Sequence, residues 1–328
     1  MDNGIFDGVA ENYSLRICQT TRLYVGEGCN YSLVDDTGNE YILKVYEIEQ
    51  KELVSFITTI LDFLAQSNVQ IRFPRPVKNI RGMDYTLQPD KILAIFHWIK
   101  GTTVELVNTK MAKELGKAVG ILDDKLGEFY NTHKRDYDKY ENSIWSVTNI
   151  HRWDKDLQAI RCLLGEHYGL IKHTRAHFDA AYPIIQNTLD KSLIHNDINP
   201  GNLLYDQHQE LTGIIDFTEI CHTYRICKVA IALAYLMQIS GSDYMNIGSS
   251  FIRGYAKGYH FTTNEKEILL LLAKLRLSST IIYNTMHVHS GRTLTDTQAQ
   301  FIRNAKELLS KLSDTTSGEF MAEMFPSG

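Results

Sequence analysis

Hydrophobic residues along this chain follow two periods. Through roughly the first hundred positions they alternate with polar ones, as in half-buried strands. Beyond that they recur every three to four residues, as on helices. Residues 22–25, 30–34 and 40–46 are rich in β-branched and aromatic types and predict strands. The run Asp35-Asp36-Thr37-Gly38-Asn39 between the last two is turn chemistry. Residues 53–66, LVSFITTILDFLAQ, carry helical periodicity. Phe73-Pro74-Arg75-Pro76-Val77 must run extended, because proline blocks a helix and restricts its predecessor. Residues 84–88 and 92–99 complete an expectation of about five antiparallel strands.

The remainder predicts helices. Residues 111–130 place Leu115, Val119, Leu122, Leu126 and Phe129 on one stripe, which reads as core. Further helices are expected over 226–237, 265–283 and 297–312. Residues 313–328 are polar and read as a frayed tail. A strand-rich beginning followed by a helix-rich remainder is an α+β pattern.

Composition narrows the setting. The 328 residues contain 44% hydrophobic and 22% charged side chains, ordinary for a soluble globular protein. A net charge of −5 and a pI near 6.2 argue against a nucleic-acid binder. Cys18, Cys29, Cys162, Cys221 and Cys227 are odd in number and form no C-x-x-C pattern, which suggests free thiols in a reducing compartment. The opening MDNGIFDGVAENY lacks the apolar region of a signal peptide. The longest apolar run, residues 268–273, is too short to span a bilayer. A cytoplasmic protein with no membrane or nucleic-acid partner is expected.

Residues 193–217, LIHNDINPGNLLYDQHQELTGIIDF, concentrate the chemistry. Asp197 can take a proton from an attacking hydroxyl. Asn202 and Asp216 offer hard oxygen ligands for the magnesium that accompanies nucleotide phosphates. Apolar runs beside them predict a hairpin carrying both to one cleft. Lys44, in YILKVY, shares a strand face with Ile42 and Tyr46. An ammonium in an apolar strand is costly unless it meets an anion, so phosphate binding is expected of it, against the alternative of a snorkelling edge lysine. Gly26 and Gly28, between the first two strands, would let backbone approach phosphate oxygens.

The order H-x-D-x-x-x-x-N followed by D-F is that of protein kinases. In the form H-x-D-x-x-P-G-N-L-L and G-I-I-D-F it resembles the aminoglycoside phosphotransferase and choline-kinase superfamily. Residues 216–237, DFTEICHTYRICKVAIALAYLM, and 142–149, NSIWSVTN, are similar to hydroxylysine kinase and to the kinase-like domain fused to some class III aminotransferases. Type II homoserine kinases are near neighbours and aminoglycoside kinases more distant ones. The resemblance implies a bilobal protein-kinase-like fold. A nucleotide-binding lobe over 1–97, a five-stranded antiparallel sheet plus a helix, would precede a mainly helical catalytic and substrate-binding lobe over 98–328. It implies ATP, with GTP as the alternative, and Mg²⁺. It also implies a glutamate facing Lys44, Glu52 or else Glu49, and a hinge at Phe96 and Trp98 that meets the purine. The acceptor would be the hydroxyl of a small amino alcohol or hydroxy amino acid. An aminoglycoside antibiotic kinase and a silent binding module are the alternatives. Trp145, His151 and Glu219 are candidates for gripping the acceptor's amine, against core packing for the tryptophan and solvent for the glutamate. Three departures stand out: Lys228 where the family usually has an acid, Asn196 after the histidine, and Thr218 after Asp-Phe.

Overall fold

Strand propensity and alternation in the first hundred residues produce a sheet, and the later apolar stripes produce a layered set of helices. The computed structural model describes residues 3–23, 29–133, 136–141, 143 and 145–326. They fall into two compact units, Met1–Gly101 with Thr212–Thr218, and Thr102–Leu211 with Glu219–Gly328.

In the first unit, α1 (Asn3–Asn12) precedes β1 (Ile17–Leu23), β2 (Cys29–Asp35), β3 (Glu40–Glu47), α2 (Lys51–Gln66), β4 (Thr86–Leu87) and β5 (Lys91–His97). The five strands pair antiparallel in the order β1-β2-β3-β5-β4. Alternation sends Tyr31, Leu33, Tyr41, Leu43, Leu93 and Ile95 to one face, where Val9 and Tyr13 of and beside α1 cover them. The β2–β3 turn is held by Asp35, whose carboxylate accepts from the backbone N–H groups of Thr37 (3.0 Å) and Asn39 (2.8 Å) and from the Tyr41 hydroxyl (3.0 Å). Gly38 takes the left-handed conformation there, with φ of 81°.

The expected strand at 22–25 begins earlier, at Ile17. Residues 18–22 are exposed, so no buried alternation marks them. Gly26 and Gly28 lie outside the described residues. The strand expected over 84–88 shortens to Thr86–Leu87.

The segment Thr212–Thr218 joins this unit through backbone. Arg72 N–H donates to Thr212 O (3.1 Å), and Ile214 N–H donates to Arg72 O (3.1 Å). A Cβ at Gly213 would sit 2.8 Å from the Ile99 side chain, so only glycine permits this approach. Phe217 meets Phe73 edge to face at 6.0 Å.

The second unit runs α3 (Thr109–Thr132), α4 (Asp154–Ala159), α5 (Arg161–Leu164), α6 (His167–Thr188), β6 (Lys191–Ile194), β7 (Leu203–Tyr205), β8 (Leu211–Ile214, which leads into the segment just described), β9 (Cys221–Tyr224), α7 (Cys227–Gln238), α8 (Tyr244–Tyr255), α9 (Thr263–His289), α10 (Asp296–Ser313) and α11 (Ser317–Met324). Strands β6 and β9 pair antiparallel, with Ile194 opposite Cys221. Helix α7 is buried along its whole length. Helix α9 is apolar on nearly every side, as a central core helix must be. It is long and apolar enough to cross a bilayer by composition, but 72% of that stretch is buried in the protein. Residues 313–328, expected to fray, instead contain α11. Thr316 and Glu319 form a capping box, and Phe320 and Met324 are buried.

Candidate active site

The first cluster lies within the first unit. Lys44, opposite Asn30 and Ala94 in the sheet, points its ammonium at Asp216 Oδ1, 2.7 Å away. The Thr218 hydroxyl donates to the same oxygen at 2.8 Å. Burial opposes the Lys44 charge, but Tyr46 and Asp216 outweigh it and raise the ammonium's pKa above the ordinary value. Asp216 adopts φ of 62°, uncommon for a residue with a side chain and typical of functional sites. Glu52 is exposed in the first turn of α2, and Glu49 lies in the short 3₁₀ turn before it. Phe96 is buried in β5. Trp98, beyond its end, donates its backbone N–H to Glu40 O at 3.0 Å.

The second cluster lies within the second unit, on the loop after β6. The Asp197 carboxylate has its two oxygens engaged differently. Oδ1 accepts from Arg276 Nη2 at 2.9 Å. Oδ2 accepts from Asn199 Nδ2 at 2.8 Å and Asn202 Nδ2 at 3.0 Å. Asn202 also donates to the Asp197 carbonyl at 3.0 Å, so its amide nitrogen is committed and its carbonyl oxygen is the ligand it can offer. His195 is buried, and its Nδ1 accepts from the Asp197 N–H at 3.3 Å. Asn196 takes φ of 61° and donates to Ser143 Oγ at 3.2 Å. Ser143 in turn donates to Glu219 Oε2 at 2.9 Å, which ties Glu219 to the same loop.

Sequence reasoning missed Arg276. Its signal was a charge flanked by Leu275 and Leu277, two residues after Lys274 in an otherwise apolar stretch of α9, an expensive placement when buried unless an anion meets it. The guanidinium lies between the rings of Trp145 (5.1 Å) and Tyr235 (5.0 Å). Trp145 also meets Tyr283 edge on at 4.4 Å. His151 sits on the same irregular segment, with Nε2 2.8 Å from Asp179. It lines a cavity of about 440 Å³ with Thr148, Asn149, Arg152, Phe178 and Tyr182.

Lys228 is bound to Asp123, a buried carboxylate that also accepts from Arg225 Nε (2.7 Å) and the Tyr255 hydroxyl (2.7 Å). His222 stacks on Tyr130 at 5.2 Å. It borders Asp138 and Glu141, where the Lys191 ammonium already lies 2.6 Å from Glu141.

Asp216 in the first unit offers a carboxylate and Asn202 in the second an amide carbonyl, each an oxygen donor of the kind a hard divalent cation takes.

The model of the phosphotransferase enzyme family (APH) matches residues 27–270. The chain belongs to that family and is a small-molecule phosphotransferase, as the sequence resemblance implied. It is 23% identical over 265 residues to hydroxylysine kinase of Xenopus laevis, covering 74% of this chain and 70% of the relative. It is 24% identical over 251 residues to homoserine kinase of Zymomonas mobilis subsp. mobilis, covering 76% and 74%. Among solved structures, an amicoumacin kinase in complex with AMP-PNP, Ca²⁺ and Ami superposes with a TM-score of 0.73 at 17% identity over 97% of both chains. A spectinomycin phosphotransferase in complex with ADP and spectinomycin gives 0.68 at 17% identity over 96% of this chain and 98% of the other. These likenesses establish the fold, an α+β architecture of kinase type.

Proposed function

We propose that the enzyme transfers the γ-phosphoryl group of a nucleoside triphosphate, ATP or GTP, to the hydroxyl of an amino alcohol or hydroxy amino acid of the hydroxylysine or homoserine kind. The observation that carries this reading is the fixed carboxylate of Asp197, which receives three side-chain hydrogen bonds on its two oxygens. A carboxylate has about four lone-pair sites, so one is left for an incoming hydroxyl.

In this reading Asp197 accepts the hydrogen bond of the acceptor hydroxyl and takes its proton. The hydroxyl oxygen then bonds to the γ-phosphorus, and the bond to the β–γ bridging oxygen breaks. Lys44, Gly26 and Gly28 bind nucleotide phosphates, and Glu52 pairs with Lys44. Phe96 and Trp98 border the purine. Asn202 and Asp216 would hold Mg²⁺, which neutralises charge on the phosphates. The protein's contribution is mostly positioning and charge compensation. Glu219, Trp145 and His151 lie on the segments that surround Asp197 and Ser143, and in this reading they meet the acceptor.

The cavity beside His151 favours an amino acid over a polycationic antibiotic. It presents Arg152, which has no acidic partner among the described residues, and a cation there suits a carboxylate. We place the enzyme in the cytoplasm, where its nucleotide is abundant. The test is a coupled nucleotide-consumption screen over 5-hydroxylysine, L-homoserine, simple amino alcohols and aminoglycosides. Turnover confined to aminoglycosides would replace the acceptor assignment. A protein that binds nucleotide yet phosphorylates none of them would remove it.

A further inference from the structure

We infer that Arg276 is a positioning residue for the transfer, clamping the Asp197 carboxylate in the one orientation that leaves a lone pair for the acceptor hydroxyl. The inference rests on the reading of Asp197 as the proton acceptor.

Arg276 stands in the middle of α9, where its neighbours Leu275 and Leu277 are fully buried, and its own side chain is 2% exposed. Such a charge is retained where it meets an anion with good geometry. Here the fork reaches three acceptors. Nη1 donates to Trp145 O at 3.0 Å, while Nη2 donates to Asp197 Oδ1 at 2.9 Å and to the Tyr235 hydroxyl at 2.7 Å. The rings of Trp145 and Tyr235 lie against the guanidinium, so it cannot swing. Burial disfavours the cation, yet Tyr235 and Asp197 outweigh that and raise its pKa, so it stays charged.

Asp197, by contrast, sits on a loop beside a left-handed residue, and 21% of its side chain is exposed. The amides of Asn199 and Asn202 both reach Oδ2. Two donors on one oxygen leave the carboxylate plane free to rotate about that oxygen. The third donor, on Oδ1, removes the rotation. Because that donor comes from a core helix, the loop carboxylate inherits the precision of the helical scaffold. A lysine would keep the charge but lack the planar fork, so it could not hold Asp197, Tyr235 and the Trp145 carbonyl together.

The experiment is a double-mutant cycle between Arg276→Met and Asp197→Asn. Turnover is measured with Mg-ATP and L-homoserine, 5-hydroxylysine or water as acceptor. Arg276→Met should lose about a hundredfold in kcat, the usual cost of a catalytic group displaced by an ångström. The KM for nucleotide should stay within about twofold, because uniform binding is untouched. In the Asp197→Asn background the same change should cost less than about threefold, since both residues act through one carboxylate. A full and additive loss in that background assigns Arg276 a general structural role and overturns the inference, while the reading of Asp197 survives. Normal turnover by Asp197→Asn alone overturns both. Should Arg276→Met fail to fold, Arg276→Lys carries the same cycle. A crystal structure of either variant reads the effect without any acceptor: the Asp197 carboxylate should rotate, and an unmoved carboxylate would defeat the proposal.

Discussion

Converting Asp123 to Asn removes one negative charge from a place that holds two cations. Asp123 is 1% exposed and Lys228 3% exposed, and the two are in direct contact. Arg225 Nε and the Tyr255 hydroxyl, each at 2.7 Å, complete the shell of the same carboxylate. Asparagine preserves the shape and leaves Lys228 without its counter-charge. Breaking a buried pair from one side costs about 3–5 kcal/mol. At about 2–4 °C per kcal/mol for a unit of this size, Tm should fall by roughly 6–20 °C. Burial holds the Lys228 pKa well below the ordinary 10.5, with Glu265 pulling the other way. The sign of the pH effect follows from that depression. Between the folded and the ordinary value the unfolded chain binds more protons, so stability rises with pH. Removing the Asp123 charge depresses the Lys228 pKa further, so the penalty in Asp123→Asn should shrink with rising pH only across the interval in which the intact protein still holds the proton on Lys228 and the variant does not. Replacing the pair together, Asp123→Leu with Lys228→Met, should recover much of the loss. Thermal melts by circular dichroism between pH 7 and pH 10 are the assay. A Tm unchanged at pH 7, or a penalty that grows with pH, would refute the reasoning.

Asp197→Asn should lose on the order of a hundredfold or more in kcat with nucleotide affinity unchanged, read by turnover beside calorimetry. If binding and turnover vanish together, Asp197 is not the proton acceptor. Asp216→Ala should abolish magnesium-dependent turnover while the melt stays cooperative; retained activity with the same magnesium dependence would exclude it as a ligand. Asp35→Asn should destabilise at neutral pH, because hydrogen bonds from Asn39, Thr37 and Tyr41 hold the Asp35 carboxyl far below its ordinary 3.8. That contribution is present above 3.8 and fades as pH falls below it, so the two melting curves should converge only in strong acid. A gap unchanged down to pH 2 would contradict this.

The legible parts of the chain were those where one local pattern coincided with one structural need. The stripe from Leu115 to Phe129 had to be buried, and it lies on α3. The order His195, Asp197, Asn202 is compact, and the three residues do meet: Asn202 Nδ2 reaches the Asp197 carbonyl and carboxylate, and His195 Nδ1 accepts from the Asp197 N–H. Lys44 announced itself as a charge in an apolar strand, and its partner Asp216 was in view for separate reasons. What escaped were features that depend on distant contacts. Helix α1 contains Gly4 and Gly8 and gains its place from covering the sheet through Val9. Helix α11 needs only Phe320 and Met324 to dock, too few to print a period. Helix α6 buries little of its length and carries Pro183 in its interior. Arg276 and Asp197 are 79 positions apart, a separation no motif window spans.

The return of Thr212–Thr218 to the first unit has a consequence for how the molecule is made. Emerging from the ribosome, the sheet through Gly101 is complete in its own strands but lacks the segment that contacts Arg72, Ile99 and Phe73. Asp216, the partner of Lys44 from 172 positions earlier, comes 115 residues after Gly101. At about 5–20 residues per second, that is a wait on the order of six to twenty-three seconds. During this interval the nascent sheet must stay soluble with Phe73 and Ile99 lacking part of their cover, and the Lys44 ammonium must stay hydrated. Completion of the Lys44 side of the sheet is therefore set by translation, and holdase chaperones that bind exposed apolar strands have their window there.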